Sequence, residues 1–170
     1  MTTLLRHLLS ILLLPFTVVA VVPGVLLGTG AAARLAWDAA PAGTWLLRGA
    51  GALVFLAGFA LFAWCIALFG RVGRGTLAPW DPTHRLVAVG PYRHVRNPMI
   101  SGVALMLAGE ALLWRSGLLA LWLGAFVLIN HTYFLLSEEP GLERRFGDAY
   151  RAYRAAVPRW IPRLRPWQDG

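Results

Sequence analysis

The chain has 170 residues, enough for one compact unit, and 58% of them are hydrophobic while only 14% are charged, which is more apolar than an ordinary soluble domain. Its single cysteine, Cys65, excludes a disulfide framework and a cysteine-rich metal site. The net charge of +8 comes from arginines that lie between apolar runs, so it indicates a membrane surface rather than a nucleic acid partner.

Four apolar runs follow one another along the chain, at residues 8–27, 49–70, 98–114 and 117–137. A helix needs about 20 apolar residues to cross a bilayer core of about 30 Å. We therefore predict an all-α fold, a polytopic bundle of about four transmembrane helices in a single membrane domain, residues 1–170. The first run is expected to be a membrane helix rather than a cleaved signal peptide. The run at 98–114 is the shortest, so we expect it to pack closely against its successor.

Arginine is distributed unevenly between the two sides of this bundle. With four spans, thirteen arginines fall on the side of the two termini and three on the other. The three are Arg34, Arg48 and Arg115. Because loops rich in Lys and Arg stay in the cytoplasm, we predict a multi-pass protein of the cell membrane with both termini cytoplasmic.

The first long cytoplasmic segment, residues 71–98, is rich in glycine and proline, which excludes a continuous helix. It ends in the run Gly90–Met99, where Asn97 precedes Pro98. A proline is well tolerated in the first turn of a helix, and asparagine is a good N-cap. The pair therefore predicts the start of the third membrane helix, capped by Asn97.

The second cytoplasmic segment, residues 138–165, opens with the adjacent acids Glu138 and Glu139. Charged groups at the end of a membrane helix are costly unless they are solvated or paired. Ser137 can instead cap a new helix that holds both acids in its first turn. Downstream, apolar residues recur at helical spacing and arginines lie off their stripe, which predicts a basic amphipathic helix at the interface. The stripe is Leu142, Phe146, Tyr150, Tyr153 and Val157.

These two segments carry a family resemblance over residues 85–162. Gly90–Arg93 followed by Arg96–Met99 resembles the first signature of the isoprenylcysteine carboxyl methyltransferase and phospholipid methyltransferase superfamily. Glu138–Glu139, with Phe146–Gly147 and Val157–Pro158 beyond it, resembles the second signature. The prenyl-cysteine branch often has histidine where this chain has Asn97, and the family often has tyrosine where it has Ile100.

The resemblance implies an enzyme that binds S-adenosylmethionine at the cytoplasmic ends of the membrane helices and methylates a lipid or lipid-like acceptor, with no metal and no nucleic acid. We expect arginines to hold the carboxylate of the cofactor and acids to hold its amino group or ribose hydroxyls. The expected cofactor-binding residues are Tyr92, Arg93, Arg96, Asn97, Pro98, Met99, Glu138 and Glu139. The expected catalytic residues are Glu138, Glu139 and His131.

Several alternatives remain open on the sequence. A carboxylate acceptor is ionised at neutral pH and needs no base, whereas an amine acceptor must first lose a proton to a residue such as Glu138, Glu139 or His131. An NADPH-dependent reductase of the sterol-reductase kind would share a similar membrane core. A non-catalytic lipid-binding membrane protein is the third possibility.

Overall fold

The computed structural model describes residues 12–38, 40–68, 71–72 and 86–168. Within these ranges the chain is helical and forms no strand, apart from one isolated bridge between Ala36 and Ser116. The all-α prediction is confirmed for the described part of the chain.

In the described ranges six helices follow in chain order. The first begins in π-helical geometry over Leu12–Val21 and becomes α-helical over Val22–Leu27. We call this first helix α1. The others are α2 (Gly30–Arg34), α3 (Pro41–Leu68), α4 (Pro98–Leu113), α5 (Gly117–Tyr133) and α6 (Glu139–Ala156). A 3-10 turn, Gly90–Arg93, precedes α4, and a π-helical turn, Phe134–Glu138, joins α5 to α6.

Two of these helices are long and apolar enough to cross a membrane: α3, and the continuous helix Gly117–Ala156 that comprises α5, the π-helical turn and α6. The described part of α1 and the whole of α4 are apolar but shorter. The described part of the chain thus contains two candidate spans of full length.

Helices α3 and α4 form a close pair, because glycines on each helix face the backbone of the other. A Cβ atom at Gly58 would lie 2.6 Å from Gly102 O, and one at Gly109 would lie 2.7 Å from Gly51 O. Small residues let the backbones of membrane helices approach closely. The short helix α4 therefore approaches its predecessor closely. It also packs against its successor, as expected, because Phe126 of α5 lies in one apolar cluster with Val103 and Met106.

At the other end of α4, a tight turn leads into α5 and is held by the loop that follows α2. Gly117 N donates to Leu35 O and Trp37 N donates to Arg115 O, each at 2.8 Å. Ser116 is buried and its Oγ accepts a hydrogen bond from Leu119 N, so it caps α5. This turn makes α4 and α5 antiparallel neighbours, which returns the chain to the side on which α4 began.

The helix does not stop at Ser137, and the predicted cap there is wrong. Ser137 is exposed inside the π-helical turn, and Glu138 has right-handed helical dihedral angles with no capping hydrogen bond. A single π turn adds a residue to the helix without ending it. Glu138 and Glu139 therefore lie on a continuous helix just beyond its apolar part, residues 117–137.

One face of α6 is buried against the chain itself. Tyr150, Tyr153 and Val157 form a cluster with partly buried neighbours that include Leu86 and Trp167. Within this helix the backbone kinks at Gly147, whose φ of +53° suits a residue without a Cβ. The apolar stripe of α6 is thus covered by protein, and its arginines, including Arg144, Arg145, Arg151 and Arg154, lie exposed.

Candidate active site

Glu139 lies at the centre of a buried ion-pair cluster that joins the two sequence motifs. Its side chain is 8% exposed, and its Oε1 accepts hydrogen bonds from Arg96 Nη1 and from Arg159 Nε, both at 2.8 Å. Arg159 Nη2 also donates to Glu139 Oε2 at 3.0 Å, which makes this pair bidentate. We call Arg96, Glu139 and Arg159 the polar cluster.

The polar cluster keeps Glu139 ionised although it is buried. Burial alone raises the pKa of this carboxyl, but the hydrogen bonds and positive charges of Arg159 and Arg96 outweigh burial, so the pKa is lowered from its usual value. The same contact raises the pKa of Arg159. Arg96 retains one buried donor, Nε, which has no hydrogen-bond partner in the described part of the chain.

Glu138, the neighbouring acid, is in a different electrostatic environment. Burial, and after it the negative charge of Glu139, raises the pKa of Glu138 to about 7. Its carboxylate forms no hydrogen bond or ion pair with the residues that the structure describes. A carboxyl group that titrates near neutral pH can accept and release a proton under physiological conditions.

Besides Arg96, the first motif contributes buried residues and backbone groups to this region. Tyr92 is buried beside Cys65 and Val87, and its carbonyl oxygen accepts a 2.7 Å hydrogen bond from Tyr153 Oη. Burial, with Cys65 as a further cause, raises the pKa of Tyr92 well above its usual value. Pro98 is fully buried at the start of α4, and Met99 packs partly buried between the neighbouring apolar clusters.

Asn97 does not cap α4, so that part of the prediction is wrong. Its φ of −122° and ψ of 55° place it just before the helix, but its side chain accepts no hydrogen bond from the first turn. Instead its carbonyl oxygen accepts from both the amide and the hydroxyl of Ser101. The half-buried Asn97 side chain is therefore not committed to a helix cap.

His131 lies on α5 and contacts the segment that follows α6. Its Nδ1 accepts a 3.1 Å hydrogen bond from Trp160 Nε1, and the two rings stack with centroids 6.3 Å apart. Because Nδ1 is an acceptor, the proton of the neutral ring is on Nε2. The structure thus joins His131 to Trp160, and within the described part of the chain His131 forms no hydrogen bond with Glu138 or Glu139.

Two residues of this region were missed by sequence reasoning, Arg159 and Trp160. Arg159 was counted only as one of the basic residues of the cytoplasmic side, yet it makes the bidentate pair with Glu139. The sequence signal for Arg159 and Trp160 is their position directly after Val157–Pro158, the end of the second signature. The first segment, as predicted, also includes residues 73–85, which lie outside the described residues.

The chain is similar to known proteins. A family described as phospholipid methyltransferase matches residues 46–149, which is more than half of the chain and includes Arg96 and Glu139. The chain belongs to the phospholipid methyltransferase family. The resemblance inferred from the two signatures is confirmed.

A second comparison matches a shorter part of the sequence. An uncharacterized protein of Haemophilus influenzae is 43% identical over 51 residues, which are 29% of this chain and 79% of that protein. No solved structure matches the chain. Membership of the phospholipid methyltransferase family, together with the two long apolar helices, indicates a membrane methyltransferase.

Proposed function

We propose that this phospholipid methyltransferase family member uses S-adenosylmethionine to methylate the amine of a lipid or lipid-like acceptor at the cytoplasmic face of the cell membrane. One observation carries the proposal. The Arg96–Glu139 contact of 2.8 Å joins residues of the two signatures that are 43 positions apart, which supports a single site built from both. Family membership supplies the reaction class.

The residues at the site fit the cofactor that the family implies. S-adenosylmethionine supplies a methyl group already activated on a sulfonium, and it carries a carboxylate, an amino group and ribose hydroxyls. The buried Arg96 Nε, which lacks a partner among the described residues, is a donor suited to an acceptor oxygen. Arg93 is a second cation suited to the carboxylate.

The raised pKa of Glu138 supports an amine as the methyl acceptor rather than a carboxylate. An amine headgroup is mostly protonated at neutral pH and cannot attack a methyl group until it loses a proton. A base with a pKa of about 7 is suited to remove that proton at physiological pH. A carboxylate acceptor needs no base, so a neutral-range carboxyl would have no part in its reaction. Glu139 is bound by two arginines and His131 by Trp160, which leaves Glu138 as the proposed proton acceptor.

The same proposal includes the membrane arrangement. Four spans, residues 8–27, 49–70, 98–114 and 117–137, would place the segments 71–98 and 138–165 on the cytoplasmic side, with α6 beyond the membrane. The arginine asymmetry supports this orientation. The exposed apolar residues Leu128, Leu135 and Leu136 on the continuous helix suit contact with lipid. Reporter fusions after Gly43 and after Gly170 test the topology, and periplasmic activity of the second fusion would contradict it.

The test of the function is equilibrium binding to the purified protein in detergent, with S-adenosylmethionine compared against NADPH. We expect binding of S-adenosylmethionine alone. Binding of NADPH alone would favour a reductase, and binding of neither would favour a non-catalytic lipid-binding protein.

Methyl transfer from radiolabelled cofactor then separates the two acceptor classes. An aminolipid and a prenyl-cysteine carboxylate are offered in matched vesicles across pH 5–9. We expect transfer to the aminolipid, with kcat/KM rising through pH values near 7 as Glu138 loses its proton, and loss of that step in Glu138→Gln. Transfer to the carboxylate alone would replace the amine in the proposal.

A further inference from the structure

The chain that follows α6 folds back along the first motif. We call residues 158–168 the strap; it lies beyond the part of the chain that matches the family, residues 46–149. Arg96 N donates to Pro158 O, and Arg163 N donates to His94 O, each at 2.9 Å. The ring of His94 closes the second pairing, because its Nδ1 lies 2.8 Å from Arg163 O.

The far end of the strap is joined to Arg93 by two reciprocal hydrogen bonds. Trp167 N donates to Arg93 O at 2.9 Å, and Arg93 Nε donates to Trp167 O. The Trp167 ring packs edge-on against Tyr153, with centroids 5.3 Å apart, and Tyr153 in turn donates to the carbonyl of Tyr92. The strap is therefore held to the fold by α6 and at the same time fixes the backbone and the guanidinium of Arg93.

This arrangement gives the two arginines of the first motif different roles. Arg96 Nη1 donates a hydrogen bond to the buried Glu139. Arg93 is held at Nε, while its terminal nitrogens form no hydrogen bond with the described part of the chain. Guanidinium binds a carboxylate best when its planar fork is fixed in advance, because less side-chain entropy is then lost on binding. Arg93 is such a pre-oriented fork, and the strap is what orients it.

We propose that the strap is a positioning element that holds Arg93 for the carboxylate of the bound cofactor, with Trp167 as its key residue. This inference rests on the proposed function, since it needs a ligand that carries a carboxylate. The strap itself touches no substrate and acts through Arg93. Loss of the strap would therefore weaken binding of the cofactor's carboxylate, which is the group that Arg93 contacts.

The test uses two ligands that differ only in that group. S-adenosylmethionine and decarboxylated S-adenosylmethionine are titrated calorimetrically into the parent protein and into Arg93→Gln, Trp167→Ala and a chain ending at Arg163. We expect the truncated chain and Arg93→Gln each to lose at least about tenfold in affinity for S-adenosylmethionine, the low end for a hydrogen bond between charged groups. The affinity for the decarboxylated ligand should change by less than about twofold, since a contact that is absent cannot be lost.

The matched control is Leu164→Ser, a substitution within the strap at a side chain that is 97% exposed. It should bind both ligands as the parent does. Equal losses for both ligands would show a general structural role and overturn the proposal, as would unchanged affinities. If the truncated chain does not fold, Trp167→Ala, which keeps the backbone hydrogen bonds, decides between these outcomes with a smaller selective loss expected. A parent protein that binds neither ligand would end the proposed function, a result distinct from failure of the strap alone.

Discussion

The pair of helices α3 and α4 and the polar cluster are held together by opposite means. Between the helices, glycines bring two backbones within van der Waals contact, as at Gly58 and Gly102, without any ion pair in the contact. In the polar cluster, by contrast, long side chains from distant segments converge on the single carboxylate of Glu139. The fit of the two backbones holds α3 and α4 together, whereas charge pairing holds the polar cluster together.

The helix pair and the polar cluster should therefore tolerate different perturbations. An apolar contact between backbones does not depend on pH, but it cannot accept even one additional methyl group at the point of closest approach. A buried ion pair tolerates small changes of shape, but it cannot lose one partner without leaving the others buried and unpaired. Substitutions that exploit this difference should separate the two regions experimentally.

The largest effect is expected at the centre of the polar cluster. Glu139→Gln removes the charge that Arg96 and Arg159 share, and breaking a buried pair in this way costs ~3–5 kcal/mol. Because the pKa of Glu139 is lowered in the folded state, its contribution is present above the ordinary carboxyl pKa and is lost as the pH falls through the lowered value. Chemical unfolding in detergent between pH 3 and pH 8 measures both effects.

Glu143→Gln is the control for this substitution. Glu143 also pairs with two arginines, Arg151 and Arg154, but all three side chains are at least a third exposed. Surface pairs of this kind contribute at most about 1 kcal/mol. Similar losses for Glu139→Gln and Glu143→Gln would mean that burial does not distinguish the polar cluster from the surface.

The contribution of Glu138 to stability should depend on pH in the opposite direction from that of Glu139. The pKa of Glu138 is raised to about 7, so its contribution to stability is present below the ordinary carboxyl pKa and is lost as the pH rises through about 7. Glu138→Gln should therefore be more stable than the parent above pH 7, by on the order of 3 kcal/mol. The same variant should lose ~100-fold or more in methyl transfer if Glu138 accepts the proton. A variant that is both less stable and fully active would contradict both parts.

The sequence allowed the helices and the meeting of the two motifs to be predicted, for identifiable physical reasons. Apolar runs indicate helices because the bilayer sets their length, and the all-helical class is confirmed. The segments 71–98 and 138–165 were both predicted to be cytoplasmic, so the residues near Asn97 and Glu138 were expected on one side of the membrane. The Arg96–Glu139 contact agrees with that expectation.

Other features depend on contacts that hydropathy does not encode. Gly58 and Gly102 contribute the same hydropathy whichever neighbour they face, so the identity of the partner helix could not be read from the sequence. Arg159 reaches Glu139 only because the chain turns back after α6, at the end of a helix kinked by Gly147. The capping roles assigned to Ser137 and Asn97 were wrong because Ser137 lies inside a π turn and the Asn97 side chain accepts no hydrogen bond from the first turn of α4.

A smaller effect is expected from one added methyl group in the helix pair. In Gly58→Ala the new Cβ would lie 2.6 Å from Gly102 O and 2.8 Å from Met106 N, and neither backbone atom can move without moving α4. Overpacking of this kind costs ~1–3 kcal/mol, and it should cost the same at pH 5 and at pH 8. Thermal unfolding in detergent at both values measures it.

Gly124→Ala in α5 is the matched control, because nothing lies within 4 Å of a Cβ atom there. Alanine is the better helix former, by up to about 1 kcal/mol, so this variant should be neutral or slightly more stable. A loss of stability at Gly124 equal to that at Gly58 would mean that the close approach of α3 and α4 is not what the glycines provide.

The smallest effect on stability is expected at Asn97, which lies between the two regions at the start of α4. Since its side chain forms no capping hydrogen bond, Asn97→Ala should change the free energy of unfolding by less than about 0.5 kcal/mol. Ser116 at the start of α5 is the comparison, because its Oγ accepts from Leu119 N, and Ser116→Ala should cost ~1 kcal/mol. If the uncommitted Asn97 side chain contacts the cofactor region, as the family resemblance implies, methyl transfer should fall several-fold in Asn97→Ala and partly recover in Asn97→His. Equal destabilisation of Asn97→Ala and Ser116→Ala, with transfer per folded molecule unchanged, would restore the cap and remove Asn97 from the proposed site.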